Sequence, residues 1–148
     1  MKSAVIYISV IAALGGFLFG FDTAVISGTV ESIKSPEFGF GLTAGELGFA
    51  VASVLIGSAI GAWYAGIAAI KLGRVKVMLI ASVLFSLSAI GSAFAFNLWD
   101  FSFWRLVGGL GVGIAAVIAP AYIAEVSPAH LRGRLGSLQQ LALSLIHI

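Results

Sequence analysis

The chain has 148 residues, 60% hydrophobic and 9% charged, with eight Lys and Arg against six Asp and Glu and a mean hydropathy of +1.12. A soluble domain carries about 25% charged residues, so this composition excludes a soluble globular protein. It also excludes disorder, and it excludes nucleic-acid binding because the basic residues are spread among apolar runs. The 19 glycines point to close helix packing in lipid, and with no cysteine neither a disulfide framework nor a Cys-based metal site is possible.

In chain order, the first apolar stretch covers about 4–30, interrupted by Asp22 and a few Ser and Thr. Lys2 ahead of an apolar core invites a signal-peptide reading. The stretch continues well past the usual h-region and shows no cleavage signal before Asp22, so a retained spanning helix is expected. The interval 31–46 holds Pro36 and the acids Glu31, Glu37 and Glu46 and reads as a loop. Further spans are predicted at 47–70, 77–96 and 101–124, with a short turn at 97–100. A fifth apolar stretch, 135–148, is too short to cross about 30 Å of hydrocarbon. The expected fold is an all-α membrane protein with four full transmembrane helices plus the start of a fifth.

Lys71, Arg74 and Lys76 lie between spans two and three, and His130, Arg132 and Arg134 between spans four and five, whereas the 31–46 loop sets three acids against Lys34. Basic loops prefer the cytoplasm, which puts the N-terminus inside. Gly16 and Gly20 in span one, and Gly57 and Gly61 in span two, have GxxxG spacing, and span four carries Gly108, Gly109, Gly111 and Gly113. Such spacing aligns glycines on one face and lets helix backbones approach closely.

An ionisable side chain within the bilayer costs several kcal/mol on most scales, so each one needs a reason. Counting 1.5 Å per residue, Asp22 lies about 12 Å from the outer end of span one and Arg105 about 6 Å inside span four. Tilt and boundary shifts are as large as that difference, so the two charges can meet. Two readings of the pair stand: Asp22 as a proton carrier, since burial and a nearby arginine act oppositely on its protonation, or a static ion pair fixing helix register. Arg105 also has the option of snorkelling to the outer interface. Phe17, Phe19 and Phe21 flank the acid, with Phe19 and Asp22 three positions apart on one face; such rings face sugars or lipid. Gln139 and Gln140 open span five and suit either a polyhydroxylated ligand or an interhelical hydrogen bond. Pro120 and Pro128 bracket the end of span four, where Glu125 and Arg132 form either an inner charge cluster or ordinary solvated groups.

No P-loop, HExxH or GxSxG motif is present, and the span-four glycines follow no strand, which excludes a dinucleotide fingerprint. Four separated motifs do agree: Gly15-Gly-Phe-Leu-Phe-Gly-Phe-Asp-Thr-Ala-Val-Ile-Ser-Gly28, Gly66-Ile-Ala-Ala-Ile-Lys-Leu-Gly-Arg74, Arg105-Leu-Val-Gly-Gly-Leu-Gly-Val-Gly113 and Pro120-Ala-Tyr-Ile-Ala-Glu-Val-Ser-Pro-Ala-His-Leu-Arg-Gly133. Together they resemble the N-terminal half of the sugar porter family of the major facilitator superfamily, most of all bacterial proton-coupled sugar symporters.

The resemblance implies two six-helix bundles with a sugar bound at mid-membrane between them and transport by alternating access. It implies Asp22 and Arg105 as the proton-coupling pair, Phe19 and Gln140 as sugar contacts, and Gly73, Arg74, Glu125 and Arg132 as an inner gating charge network. It implies no cofactor, metal or nucleic acid. The partners are a small-molecule sugar, protons, the lipid bilayer and a C-terminal bundle that this chain lacks, in the plasma (inner) membrane. Residues 1–148 then form a partial N-terminal transmembrane bundle of a symporter. A facilitative sugar uniporter, or a membrane fragment without transport of its own, are the alternatives. Two departures from the family pattern are Ile70, where an acid or polar residue is usual, and Val75, where a second basic residue is usual; the missing acid bears on the gate rather than on the sugar contacts.

Overall fold

The computed structural model describes Tyr7, Phe17, residues 20–28 and residues 43–144, apart from the side chains of residues 138, 139, 142 and 143. Among these residues the order is α1, described over 20–28, α2 (Ala44–Leu72), α3 (Arg74–Ala93), α4 (Leu98–Val126) and α5 (Arg132–Ser144), with no strand. Helices α2, α3 and α4 are each long and apolar enough to cross a membrane. Most of the first span and of the acidic loop, and the last residues of the fifth stretch, lie outside the described residues.

The helix ends follow from local chemistry. The backbone N–H of Thr43 donates to Glu46 Oε2 at 2.9 Å, and Glu46 N–H donates to the Thr43 hydroxyl, a reciprocal capping box. Glu46, expected in the loop, is therefore in the first turn of α2, where a negative charge complements the helix N-terminus. Asn97 Oδ1 accepts from Asp100 N–H at 2.9 Å, so α4 starts at Leu98 and the expected 97–100 turn is mostly its first turn. At the opposite end, the basic interval 71–76 contracts to one residue. Gly73 separates α2 from α3 with φ 85° and ψ 154°, backbone that is essentially glycine-only. Its N–H donates to Ala69 O, and its carbonyl accepts from Val77 N–H.

Helix α4 is the hub, packing most extensively on α2 and then on α3. The α2 contact is reciprocal. A Cβ placed on Gly57 or Gly61 would strike the carbonyls of Leu106 and Leu110, and one on Gly109 or Gly113 would strike those of Val54 and Ser58. Both sets of partners advance together along the chain, so α2 and α4 run parallel, each offering a GxxxG face to the other's backbone. The Gly109/Gly113 half of this clasp is a spacing that the glycine-rich run in α4 contained all along. On its other side α4 meets α3: Gly108 lies against Ser88 and Gly111 against the Ala81 carbonyl, while Gly91 of α3 receives the Trp104 ring. The Ser88 hydroxyl donates to Trp104 O at 2.6 Å, a cross-helix hydrogen bond worth about 0.6 kcal/mol in a bilayer. Near the basic end, Ala65, Ala69, Val77 and Ile118 form a buried cluster, and Ala119 and Ile123 bury Leu135 of α5. Many large apolar side chains on α2 and α3, such as Leu55, Ile70 and Val83, are left exposed.

Candidate functional site

The Asn97 cap fixes where α4 begins, and Arg105 follows seven residues later, about 10 Å along the axis. It lies among the residues α4 buries, between Ser102 and the Gly108–Gly109 pair. Its side chain is 8% exposed and that of Asp22 22%. Arg105 Nη1 donates to both carboxylate oxygens of Asp22, at 2.7 and 2.9 Å. The depth argument from sequence thus corresponds to a direct contact, and Arg105 does not snorkel. Taking two charges out of water is expensive, and their attraction only roughly returns that cost. Loss of either charge from such a pair leaves the other buried and uncompensated.

The rings near Asp22 are arranged differently. Phe17 and Phe21 stack on each other with centroids 6.4 Å apart, and both are exposed. Phe19 lies outside the described residues, so its expected sugar contact is not placed. Gln140 is exposed on α5, and the Gln139 side chain is outside the description.

At the basic end, Glu125 pairs with Arg74, not with Arg132 as the cluster read from sequence would have it. Arg74 Nη2 donates to Glu125 Oε1 at 2.9 Å and Nε donates to the same oxygen at 3.2 Å. Arg132 is exposed, and among the described residues it forms no ion pair. The geometry explains the choice. Gly73 turns the chain so that Arg74 opens α3 beside the end of α4, while Arg132 begins α5 only after the turn closed by Leu131 N–H on Pro128 O. Each member of the Arg74–Glu125 pair sits at the unfavourable end of its own helix, a cation at the start of α3 and an anion in the last turn of α4. Each therefore offsets the dipole mismatch of the other. With side chains 34% and 50% exposed, the pair is wet. Nothing in the local sequence announces it, because its members are 51 positions apart.

Among the described residues no group of His, Asp and Glu is arranged to hold a metal ion. Residues 8–145 match the family model described as Sugar (and other) transporter. The chain is 60% identical over 139 residues to a glucose transport protein of Synechocystis sp., covering 94% of this chain and 29% of that protein. It is 40% identical over 165 residues to the D-xylose-proton symporter of Escherichia coli, covering 96% of this chain and 34% of that one. Among solved structures, the inward-open xylose transporter from E. coli superposes with a TM-score of 0.85 at 41% identity, over 96% of this chain and 37% of that chain. A proton:xylose symporter bound to 6-bromo-6-deoxy-D-glucose gives a TM-score of 0.87 at 40% identity, over 99% of this chain and 36% of that chain. The helical bundle is thus the N-terminal part of the membrane-spanning fold of those transporters, and the chain spans 29% to 34% of the length of the two curated relatives.

Proposed function

Since the chain belongs to the sugar transporter family, whose members are integral membrane transporters rather than enzymes, we propose that it forms the N-terminal part of a secondary active transporter carrying a monosaccharide with a proton by alternating access. The observation that carries this reading is the buried Asp22–Arg105 pair. Relatives described as proton symporters for xylose and arabinose support the proton, and a relative described as a glucose transport protein supports the sugar.

In this reading Asp22 is the coupling group. With its charge it holds Arg105; with a proton it lets go, and the difference biases the bundle toward one facing. Phe19 and Gln140 contact the sugar. Gly73, Arg74, Glu125 and Arg132 act at the inner gate, with Arg132, which forms no ion pair among the described residues, reaching a group of the second bundle. The protein crosses the plasma (inner) membrane with its N-terminus and basic end cytoplasmic, a reading supported by the charge asymmetry of the loops. A second reading, that the 148-residue chain alone does not transport, is favoured by its covering only 29% to 34% of its relatives, because a sugar site between two bundles needs both.

The decisive experiment uses the full-length transporter in proteoliposomes. Asp22→Asn is expected to abolish uphill sugar accumulation while sparing sugar exchange across the membrane. Accumulation that survives this substitution sinks the assignment of Asp22, and a wild type that only equilibrates sugar makes the protein a uniporter. Uptake by the reconstituted 148-residue chain by itself would refute the second reading.

A further inference from the structure

Arg105 leaves a donor unused. Its Nη1 takes both oxygens of Asp22, whereas its Nε is buried without a hydrogen-bond partner. One turn nearer the start of α4, Ser102 is 5% exposed, and its hydroxyl also has no partner. Buried polar atoms are nearly always paired, so two orphans three positions apart call for a reason. Helical side chains lean toward the N-terminus of their helix, so the long arm of Arg105 extends over the turn that bears Ser102, its i−3 neighbour. Other acids are occupied elsewhere: Glu46 is tied to Thr43, and Asp100 accepts from Phe96 N–H. Among the described residues, Ser102 is the orphaned acceptor on the turn toward which the Arg105 side chain leans.

We propose that Ser102 is a positioning residue, the second acceptor for Arg105, engaged when Asp22 has taken up a proton. This rests on the reading of Asp22 as the coupling group. A proton from the aqueous phase forms an O–H bond with one Asp22 oxygen, and the carboxyl becomes neutral. The charge-assisted bond to Nη1 weakens, and the guanidinium, still cationic, turns about its side-chain torsions and donates to Ser102 Oγ. The hydroxyl gives the guanidinium an acceptor in place of the neutralised carboxylate, so its buried donors are not all left unpaired. Because the hydroxyl gains its partner in only one of the two states, its contact pulls the equilibrium toward that state. The orphaned atoms are then the unused half of a two-position switch.

The test uses the full-length transporter. In a structure of Asp22→Asn, where asparagine stands in for the protonated acid, Arg105 is expected within hydrogen-bond distance of Ser102 Oγ; an Arg105 that still binds only residue 22 overturns the proposal. In transport, Ser102→Ala and Ser102→Val are expected to slow proton-coupled uptake roughly tenfold, the scale of one charged hydrogen bond, and to leave sugar exchange unchanged, with Ser102→Thr restoring uptake. Unchanged uptake in Ser102→Ala and Ser102→Val, or uptake and exchange falling together, also overturns it. If Asp22 is not the coupling group, Asp22→Asn retains accumulation, a result separate from where Arg105 is seen to sit.

Discussion

Two arginines each hold one carboxylate at nearly the same distance, Arg105 with Asp22 at 2.7 Å and Arg74 with Glu125 at 2.9 Å. By Coulomb's law the bare attractions are alike; the surroundings are not, and an attraction scales inversely with the local dielectric. The first pair is nearly enclosed by helices, while a third to a half of each side chain of the second faces outward. An exposed pair is weak and screened by salt, so a small movement of α3 against α4 opens it. A buried pair resists such movement, because separating it strands two charges in an apolar medium. The same two residue types thus make one contact that is exposed and screened and one that is enclosed and resists separation.

Substitutions sharpen this contrast. Arg105→Ala leaves the Asp22 carboxylate buried and uncompensated, and is expected to cost about 3–5 kcal/mol, read as a large drop in the thermal unfolding midpoint of the full-length transporter in detergent; a midpoint close to wild type would show that water reaches the pair freely. Gly109→Ala acts on the same pair through its platform. The new methyl meets the Val54 carbonyl, and overpacking of this kind costs about 1–3 kcal/mol. Because it displaces α4 near Arg105, a double-mutant cycle between Asp22 and Arg105 should show a reduced coupling energy in this background, while the Arg74–Glu125 cycle stays as it was.

Gly73→Ala does the opposite. Alanine at φ 85° and ψ 154° is strained by about 1–3 kcal/mol, and relief of the strain moves the start of α3. The Arg74–Glu125 coupling should vanish while Asp22–Arg105 coupling persists; loss of both would mean that the two ends of the bundle are rigidly linked. The smallest effect is expected for Arg74→Ala, about 0–1 kcal/mol. Its signature lies in transport, where the preference between inward and outward facing should shift, measured by alkylation of single cysteines introduced on either side.

Much of this was legible in the residues. The spans follow from hydropathy. Asp22 and Arg105 follow from the rule that a charge at membrane depth needs a partner, which leaves few choices when so few charges exist. Gly57 and Gly61 announce a packing face. Thr43 and Glu46 carried a capping-box spacing that places the start of α2, a local signal available to anyone reading the period of the chain. The rest depends on register between helices far apart in sequence. That α2 and α4 clasp through matched glycine pairs, and that Glu125 chooses Arg74 over the nearer Arg132, is decided by how far each helix slides along its neighbour. Hydropathy is silent on that sliding. Ser102 carries no sequence signal for a related reason: a serine in an apolar helix usually bonds its own backbone, as Ser53 does with Ala50 O, and only the packed structure reveals one that does not.

The parallel clasp of α2 and α4 also bears on biosynthesis. Its two faces belong to helices with a third between them, so the glycine face of α2 has no mate until α3 has turned back and α4 has entered. From Leu72 to Val126, at the usual pace of roughly 5–20 residues per second, elongation takes roughly 3–10 s. For that interval the α2 face lies against lipid or the insertion machinery. The extensive interface of this bundle is therefore late to assemble, and a ribosome that stalls within α4 would hold a chain whose small-residue groove is still open to other helices.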